Sequence, residues 1–279
     1  MREVPRHPPS IMGIINLNSD SFWEGSRVAD SSLFLERFEK MVEDGADIVD
    51  IGACSTRPGS LSISVEEEWS RLAPILKLLS KRESGVKLSI DTFRGEIVRR
   101  SFDSIGQFIV NDISSGEDDA TMLESVGALK LPYIAMHKRG TPQFMQQNCN
   151  YEDVVKEVRE YLIGIVERAA SYGIEDIMVD PGFGFSKNID QNYTLLNSLS
   201  NFKFKGINGK VAMVVVGLSR KSMIYNYLQI DVSESLNATS ALELVALLNG
   251  ADILRTHDPK EAKEMVKLYQ ILYRNRELR

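Results

Sequence analysis

Short runs of β-type residues alternate with longer stretches of helical periodicity from one end of the chain to the other, and this alternation limits the possible folds more than any single motif. The β-type runs are Ile11 to Ile15, Ile48 to Ile51, Val86 to Ile90, Phe108 to Val110, Pro132 to Met136, Ile177 to Val179, Val211 to Val216 and Ile253 to Leu254. Between them, apolar residues recur three and four apart in stretches such as Leu33 to Met41, Trp69 to Leu79, Val154 to Ala170 and Leu236 to Leu248, and a last helix follows from Lys260 to about Tyr273. Strict alternation of strand and helix predicts a parallel α/β sheet. Eight such units in 279 residues favour a closed (β/α)8 barrel, the TIM-barrel architecture, over an open doubly wound sheet. No Gly-x-Gly-x-x-Gly turn follows the first strand, and no low-complexity linker or shift in composition divides the chain. It reads as a single domain over residues 1–279, with residues 1–10 a short extension.

Each run stops at a polar cluster. The plainest case is Asp176-Ile-Met-Val-Asp180-Pro-Gly-Phe-Gly-Phe185-Ser-Lys187, where a buried strand ends on a carboxylate that costs several kcal/mol unless its charge is matched. The other clusters are Asn16 with Asp20-Ser21-Phe22, Ser55-Thr56-Arg57-Pro58-Gly59, Asp91-Thr92-Phe93-Arg94, Asn111-Asp112, His137 with Arg139, Ser219-Arg220-Lys221-Ser222 and Arg255-Thr256-His257-Asp258. Taken singly, any of them is an ordinary solvated loop start. In a barrel all of them face one rim, which turns scattered positions into one converging pocket.

Bulk composition excludes several classes. With 33 basic and 39 acidic residues the formal charge is −6, and no stretch gathers a basic cluster, so no nucleic-acid partner is expected. The stretch Met1 to Ser10 carries charges and three prolines rather than an apolar core, and no apolar run approaches the roughly 18 residues that span a bilayer, so a soluble cytoplasmic protein without a membrane partner is expected. Cys54 and Cys149 lack metal-ligand spacing and are too few for a disulfide framework.

Sorted by chemistry, the rim offers planar acceptors and donors (Asp91, Asn111, Asp180) together with cations (Arg57, Lys221, Arg255 and, with them, His257). A carboxylate beside a lysine in a partly dry pocket suits a flat heterocycle with amine and ring N–H donors on one edge and a carbonyl on another. Arg255 and His257 at the last strand neighbour Asn16 at the first across the barrel closure, a place for an anion. No Ser-His-Asp or Cys-His arrangement is evident, although Lys221 leaves a Schiff-base aldolase open.

The strings Met12-Gly-Ile-Ile-Asn16 with Asp20-Ser-Phe22, Asp50-Ile-Gly52 with Ser55-Thr-Arg-Pro-Gly59, Ser89-Ile-Asp91-Thr-Phe93, Asn111-Asp112-Ile113, Met136-His137, Asp180-Pro-Gly-Phe-Gly-Phe185, Gly217-Leu-Ser-Arg-Lys-Ser222 and Arg255-Thr-His257-Asp258 stand one per strand. Through them the chain resembles the bacterial dihydropteroate synthases along nearly its whole length. The resemblance implies a homodimeric, Mg²⁺-using transferase, targeted by sulfonamides, that joins 6-hydroxymethyl-7,8-dihydropterin diphosphate to 4-aminobenzoate. It implies that Asp91, Asp180, Lys221 and Arg255 are the catalytic set. Asp91, Asn111, Asp180 and Lys221 would hold the pterin, with Ile113, Met136 and Gly217 lining its slot and Arg255 on its face. Asn16, Arg57, Arg255 and His257 would hold the diphosphate, Asn16 also its metal, and Thr56, Arg57, Pro58, Phe185, Lys221 and Ser222 would meet the 4-aminobenzoate.

The loops Leu17 to Asp30 and Cys54 to Ser64 read as lids over the site. Here the chain departs from the family pattern: Asn18-Ser19 stands where Thr-Pro is common, Cys54 where a Glu precedes Ser-Thr-Arg, and Lys138 where a methionine is common. Two rivals share the pterin acids: a methyltransferase serving a corrinoid protein, which lacks the diphosphate cations, and a paralogue that binds pterin without turnover.

Overall fold

The computed structural model describes residues 8–17, 27–54, 63–82, 85–140, 148–206 and 209–277. Its strands are β1 (Ser10–Asn16), β2 (Ile48–Gly52), β3 (Lys87–Asp91), β4 (Ile109–Asp112), β5 (Tyr133–Met136), β6 (Ile177–Asp180), β7 (Met213–Val216) and β8 (Ile253–Thr256). They are parallel and close in sequence order, β8 returning to β1 with Met12 opposite Arg255. The helices are α1 (Arg27–Glu43), α2 (Val65–Leu79), α3 (Gly95–Ile105), α4 (Met122–Ala128), α5 (Val154–Ser171), α6 (Ile189–Asn197), α7 (Ser222–Leu228), α8 (Leu236–Asn249) and α9 (Pro259–Glu277). The expected (β/α)8 barrel is therefore the fold. Local signals start several helices: Ser64 accepts from Glu67 N (3.1 Å), Asp153 caps α5, and Asn188 forms a capping box with Gln191 before α6.

The barrel interior explains how the site is positioned. Met12, Ile48, Ile109, Ile134, Met178, Val215 and Ile253 form a separate buried cluster that plugs the barrel. Side chains of a strand repeat on one face every second residue. Two residues beyond those plug positions stand Asp50, Asn111, Met136, Asp180, Gly217 and Arg255. The apolar plug and the polar mouth are thus successive layers of one inward face. The opposite faces of the strands pack against the helices, which is why the strands read as nearly unbroken apolar runs.

Strand boundaries differ from expectation in two ways. Several strands extend past their last apolar residue to take in Asn16, Asp91, Asn111, Asp112, Asp180 and Arg255, because a parallel ladder continues as long as backbone partners are available. At β7 the difference runs the other way. Val211 is exposed and bridges antiparallel to Lys205, and Ala212 N donates to Phe204 O (3.0 Å), so the strand begins only at Met213.

Helix α8 buries one acid. Glu243 is 2% exposed and meets Thr256; burial pushes its pKa from the ordinary 4.5 up to about 8. The folded protein therefore keeps a proton that the unfolded chain gives up. The stabilising contribution is complete below about pH 4.5 and is lost as pH rises through about 8. Glu243→Gln should melt like the wild type near pH 4.5 and several degrees higher above pH 8, since a buried carboxylate costs about 1–3 kcal/mol and each kcal/mol shifts Tm by roughly 2–4 °C. Equal melting of the two proteins across that range would show that Glu243 does not titrate in the fold.

Candidate active site at the barrel mouth

The deepest layer of the mouth is an arginine between two carboxylates. Arg255 of β8 donates from Nε to Asp50 Oδ2 (2.7 Å) and from Nη2 to Asp91 Oδ2 (2.8 Å), while Asn111 Nδ2 donates to the same Asp50 oxygen (3.0 Å). Asp50 is fully buried and Asp91 nearly so. Burial works against the charge of Arg255, and Asp50, Asp91 and Asp180 more than offset it, leaving the guanidinium firmly protonated. Burial also drives the Asp91 carboxyl above the usual carboxylate range, against the pull of Arg255. Asn111 and Asp91 face each other across β3 and β4, and Met136 and Asp180 across β5 and β6. Ile113, just beyond β4, is buried as well.

On the far side, Asp180 is 8% exposed; its Oδ1 accepts from Gly182 N (2.7 Å), and its pKa is raised by burial and held back by Lys221. Lys221 donates to Phe183 O and lies 4.5 Å from the centre of the Phe185 ring. Burial lowers its pKa to about 8. A side chain at Gly184 would stand 3.0 Å from Lys221 Cδ, and its φ of +79° is one that glycine adopts without strain, so the lysine can lie along this turn. Gly217 stays open: a Cβ there would be 3.8 Å from both Asp180 Oδ2 and Arg255 Cδ, which makes it a floor between acid and cation.

Further polar groups stand at the ends of β1, β7 and β8. Asn16 Oδ1 and Asp91 Oδ2 would each lie 3.5 Å from a Cβ at Gly52, so the amide and the acid share one corner. Ser219 Oγ accepts from His257 N (3.2 Å) and lies 3.1 Å from His257 Nδ1. Arg220 makes a forked pair with Asp258 (2.9 and 2.6 Å) that ties the loops after β7 and β8 together. Ser222 is the first residue of α7. No group of three or more His, Cys, Asp or Glu among the described residues could hold a metal. Among the described residues Asn16 and Asp91 offer the hard oxygens at this corner, a donor set that suits a Mg²⁺ only if phosphate oxygens supply most of its ligands.

Arg255, expected on the pterin face and toward the diphosphate, has its Nε and Nη2 on Asp50 and Asp91. Thr56, Arg57, Pro58 and most of both lids, with Asn18 and Ser19, fall outside the described residues. Cys54 is buried at the end of β2, and a carboxylate stands near it all the same: Glu68 of α2, fully buried, accepts from Thr92 (2.7 Å) and pairs with Arg94, whose other nitrogen reaches Ile63 O. Lys138, itself buried, pairs with the exposed Asp118 (2.9 Å), joining the loops after β4 and β5. Sequence reasoning gave Asp50 no role. The signal was a lone acid inside the run Ile48-Val49-Asp50-Ile51, on the inward parity.

An eight-stranded parallel barrel with acids, an amide and cations layered at the carboxyl ends of its strands defines a barrel enzyme for a flat, polar, anion-bearing substrate. The family described as pterin binding enzyme matches residues 12–257. The dihydropteroate synthase of Escherichia coli strain K12 is 38% identical over 264 residues, 94% of this chain and 91% of that protein. Among solved structures, the Yersinia pestis dihydropteroate synthase with a sulfonamide drug complex superposes with a TM-score of 0.86 at 32% identity, covering 95% of this chain and 94% of that one. The Burkholderia cenocepacia dihydropteroate synthase complexed with 7,8-dihydropteroate gives 0.85 at 32% identity, covering 97% and 94%. The chain belongs to the pterin-binding enzyme family and, within it, to the dihydropteroate synthases.

Proposed function

We propose that this protein is a transferase of folate biosynthesis that condenses 6-hydroxymethyl-7,8-dihydropterin diphosphate with 4-aminobenzoate, giving 7,8-dihydropteroate and diphosphate. The observation that carries the reading is the layered mouth: Asp91, Asn111 and Asp180 stand within reach of Lys221 and Arg255 above one apolar plug. Asp180 and Asn111 accept from and donate to the edge of the pterin, Met136 and Ile113 close its slot, and Arg255 covers its face. Asn16 and His257, with Arg57 and Arg255, take the diphosphate. Asn16 would also hold Mg²⁺, which neutralises charge on the leaving group when bound.

As diphosphate departs, positive charge develops on the pterin methylene and spreads into the ring, where Asp91 and Asp180 stabilise it. The amine of 4-aminobenzoate, seated against Phe185 and Lys221 with its carboxylate at Ser222, then attacks the methylene carbon. No covalent bond to the protein is needed, and the proton that the arylamine sheds after attack passes to the released diphosphate or to water. The chain is also read as a cytoplasmic homodimer. Support for a second copy comes from exposed Tyr227, Leu228 and Val232 at the end of α7, and sedimentation velocity checks it. No described helix is long and apolar enough to cross a membrane.

The decisive experiment incubates the purified protein with the pterin diphosphate, 4-aminobenzoate and Mg²⁺ and follows diphosphate release. Release that needs the arylamine, with 7,8-dihydropteroate as product, is expected. Pterin binding without release would instead mean a binding subunit, and borohydride trapping at Lys221 an aldolase.

A further inference from the structure

Lys187 closes the turn between β6 and α6 and is 3% exposed. Burial lowers its pKa to about 7, with Asp180 pulling the other way, and in its ammonium form it needs an acceptor for each N–H. Lys187 Nζ has His137 Nδ1 at 3.0 Å, Gly182 O at 2.9 Å and Phe185 O at 2.9 Å. His137 is suited to accept, because burial, with Lys187 and Arg139 nearby, lowers its pKa to about 2 and keeps the ring neutral. Tyr161 packs against that ring edge to face, centroids 4.9 Å apart.

The same turn is docked on the end of β5 at two further points. Arg139 N donates to Ser186 Oγ (2.8 Å), which donates back to Arg139 O (2.6 Å). A Cβ at Gly182 would lie 2.0 Å from His137 O, so only bare backbone can pass there. What the turn carries is the seat of Lys221: the Phe183 carbonyl and the Phe185 ring. The backbone of Asp180 is fixed by the sheet, opposite Met136 and with its carbonyl accepting from His137 N (3.0 Å), and only its Oδ1 touches the turn, through Gly182 N (2.7 Å). The backbone of Lys221 is held separately, its N–H donating to Leu218 O (3.2 Å).

We infer that Lys187 is a positioning residue for the arylamine substrate: it pins the Phe183–Phe185 turn, and through it the ring face and ammonium that 4-aminobenzoate meets, while the sheet holds the backbone of the pterin acids. The inference rests on the function proposed above. No bond is made or broken at Lys187.

The test is steady-state kinetics on the full chain with each substrate varied in turn, together with thermal melts. For Lys187→Met the expected result is a KM for 4-aminobenzoate raised about tenfold or more, with a clearly smaller rise in the pterin KM, since Asp180 touches the turn only through Gly182 N. Lys187→Gln keeps two N–H donors on a shorter reach and should give a smaller rise in the same direction. It also serves as the test should Lys187→Met fail to fold. Equal rises in both KM values, or no change in either in a folded variant, would overturn the inference. An inactive wild type would sink the functional reading and this one with it, whereas an active wild type without the split sinks this one alone.

Discussion

Asp180→Asn should weaken binding of the pterin substrate about 100-fold or more without lowering the melting temperature. The acid is buried, and its two oxygens do different work: Oδ1 accepts from Gly182 N (2.7 Å), while Oδ2 lies beside Gly217, towards Arg255. An asparagine of the same volume keeps an oxygen for Gly182 and turns an amide N–H₂ into the slot. A pterin edge made of amine and ring N–H donors then meets a donor. Two charge-assisted hydrogen bonds at about 1.5–3 kcal/mol each are lost, and about 1.4 kcal/mol is tenfold in affinity. Stability should not suffer, because burial already raises the Asp180 pKa and the substitution removes a carboxylate that the fold holds at a cost. Calorimetric titration with the pterin substrate, beside a thermal melt, reads both quantities. Affinity within threefold of wild type would mean that the pterin does not use this acid.

The contrast between Asp180 and Asp50 shows what a sequence discloses here. Asp180 ends its apolar run and is followed by Pro-Gly-Phe-Gly, so its place at a strand end is legible from residue order. Asp50 sits inside an apolar run, and only the barrel closure brings Arg255, 205 positions later in the chain, against it. Strand count and parallel order were legible because each β-type run is bounded by polar residues. The last paired residue of each strand was not, since side-chain hydrophobicity stops before the backbone ladder does. Lys187 looked like the tail of a glycine-rich turn, and its three acceptors come from two loops. The acid beside Cys54 arrives from a helix, through Glu68, and no spacing along the strand points to it.

For Arg255 the structure changes what a simple truncation measures. Arg255→Ala should lower kcat by about 10²–10³-fold, the usual effect of removing a group that stabilises charge in the transition state. It should also lower the melting temperature by on the order of 10 °C. Asp50 and Asp91 would be left buried without their shared cation; breaking such a pair costs about 3–5 kcal/mol, at roughly 2–4 °C for each. The two losses can be separated. In the Arg255→Ala background, Asp50→Asn removes one of the stranded charges and keeps an oxygen for Asn111 Nδ2, which now lies 3.0 Å from Asp50 Oδ2. Melting temperature should recover by about half or more while kcat stays low, because no guanidinium has returned to the site. Melts and turnover on the wild type, both single variants and the double variant form the complete cycle. If turnover returned along with stability, Arg255 would act only by neutralising the acids beneath the pocket, and the leaving diphosphate would have to be stabilised by Asn16, Arg57 and His257 without it.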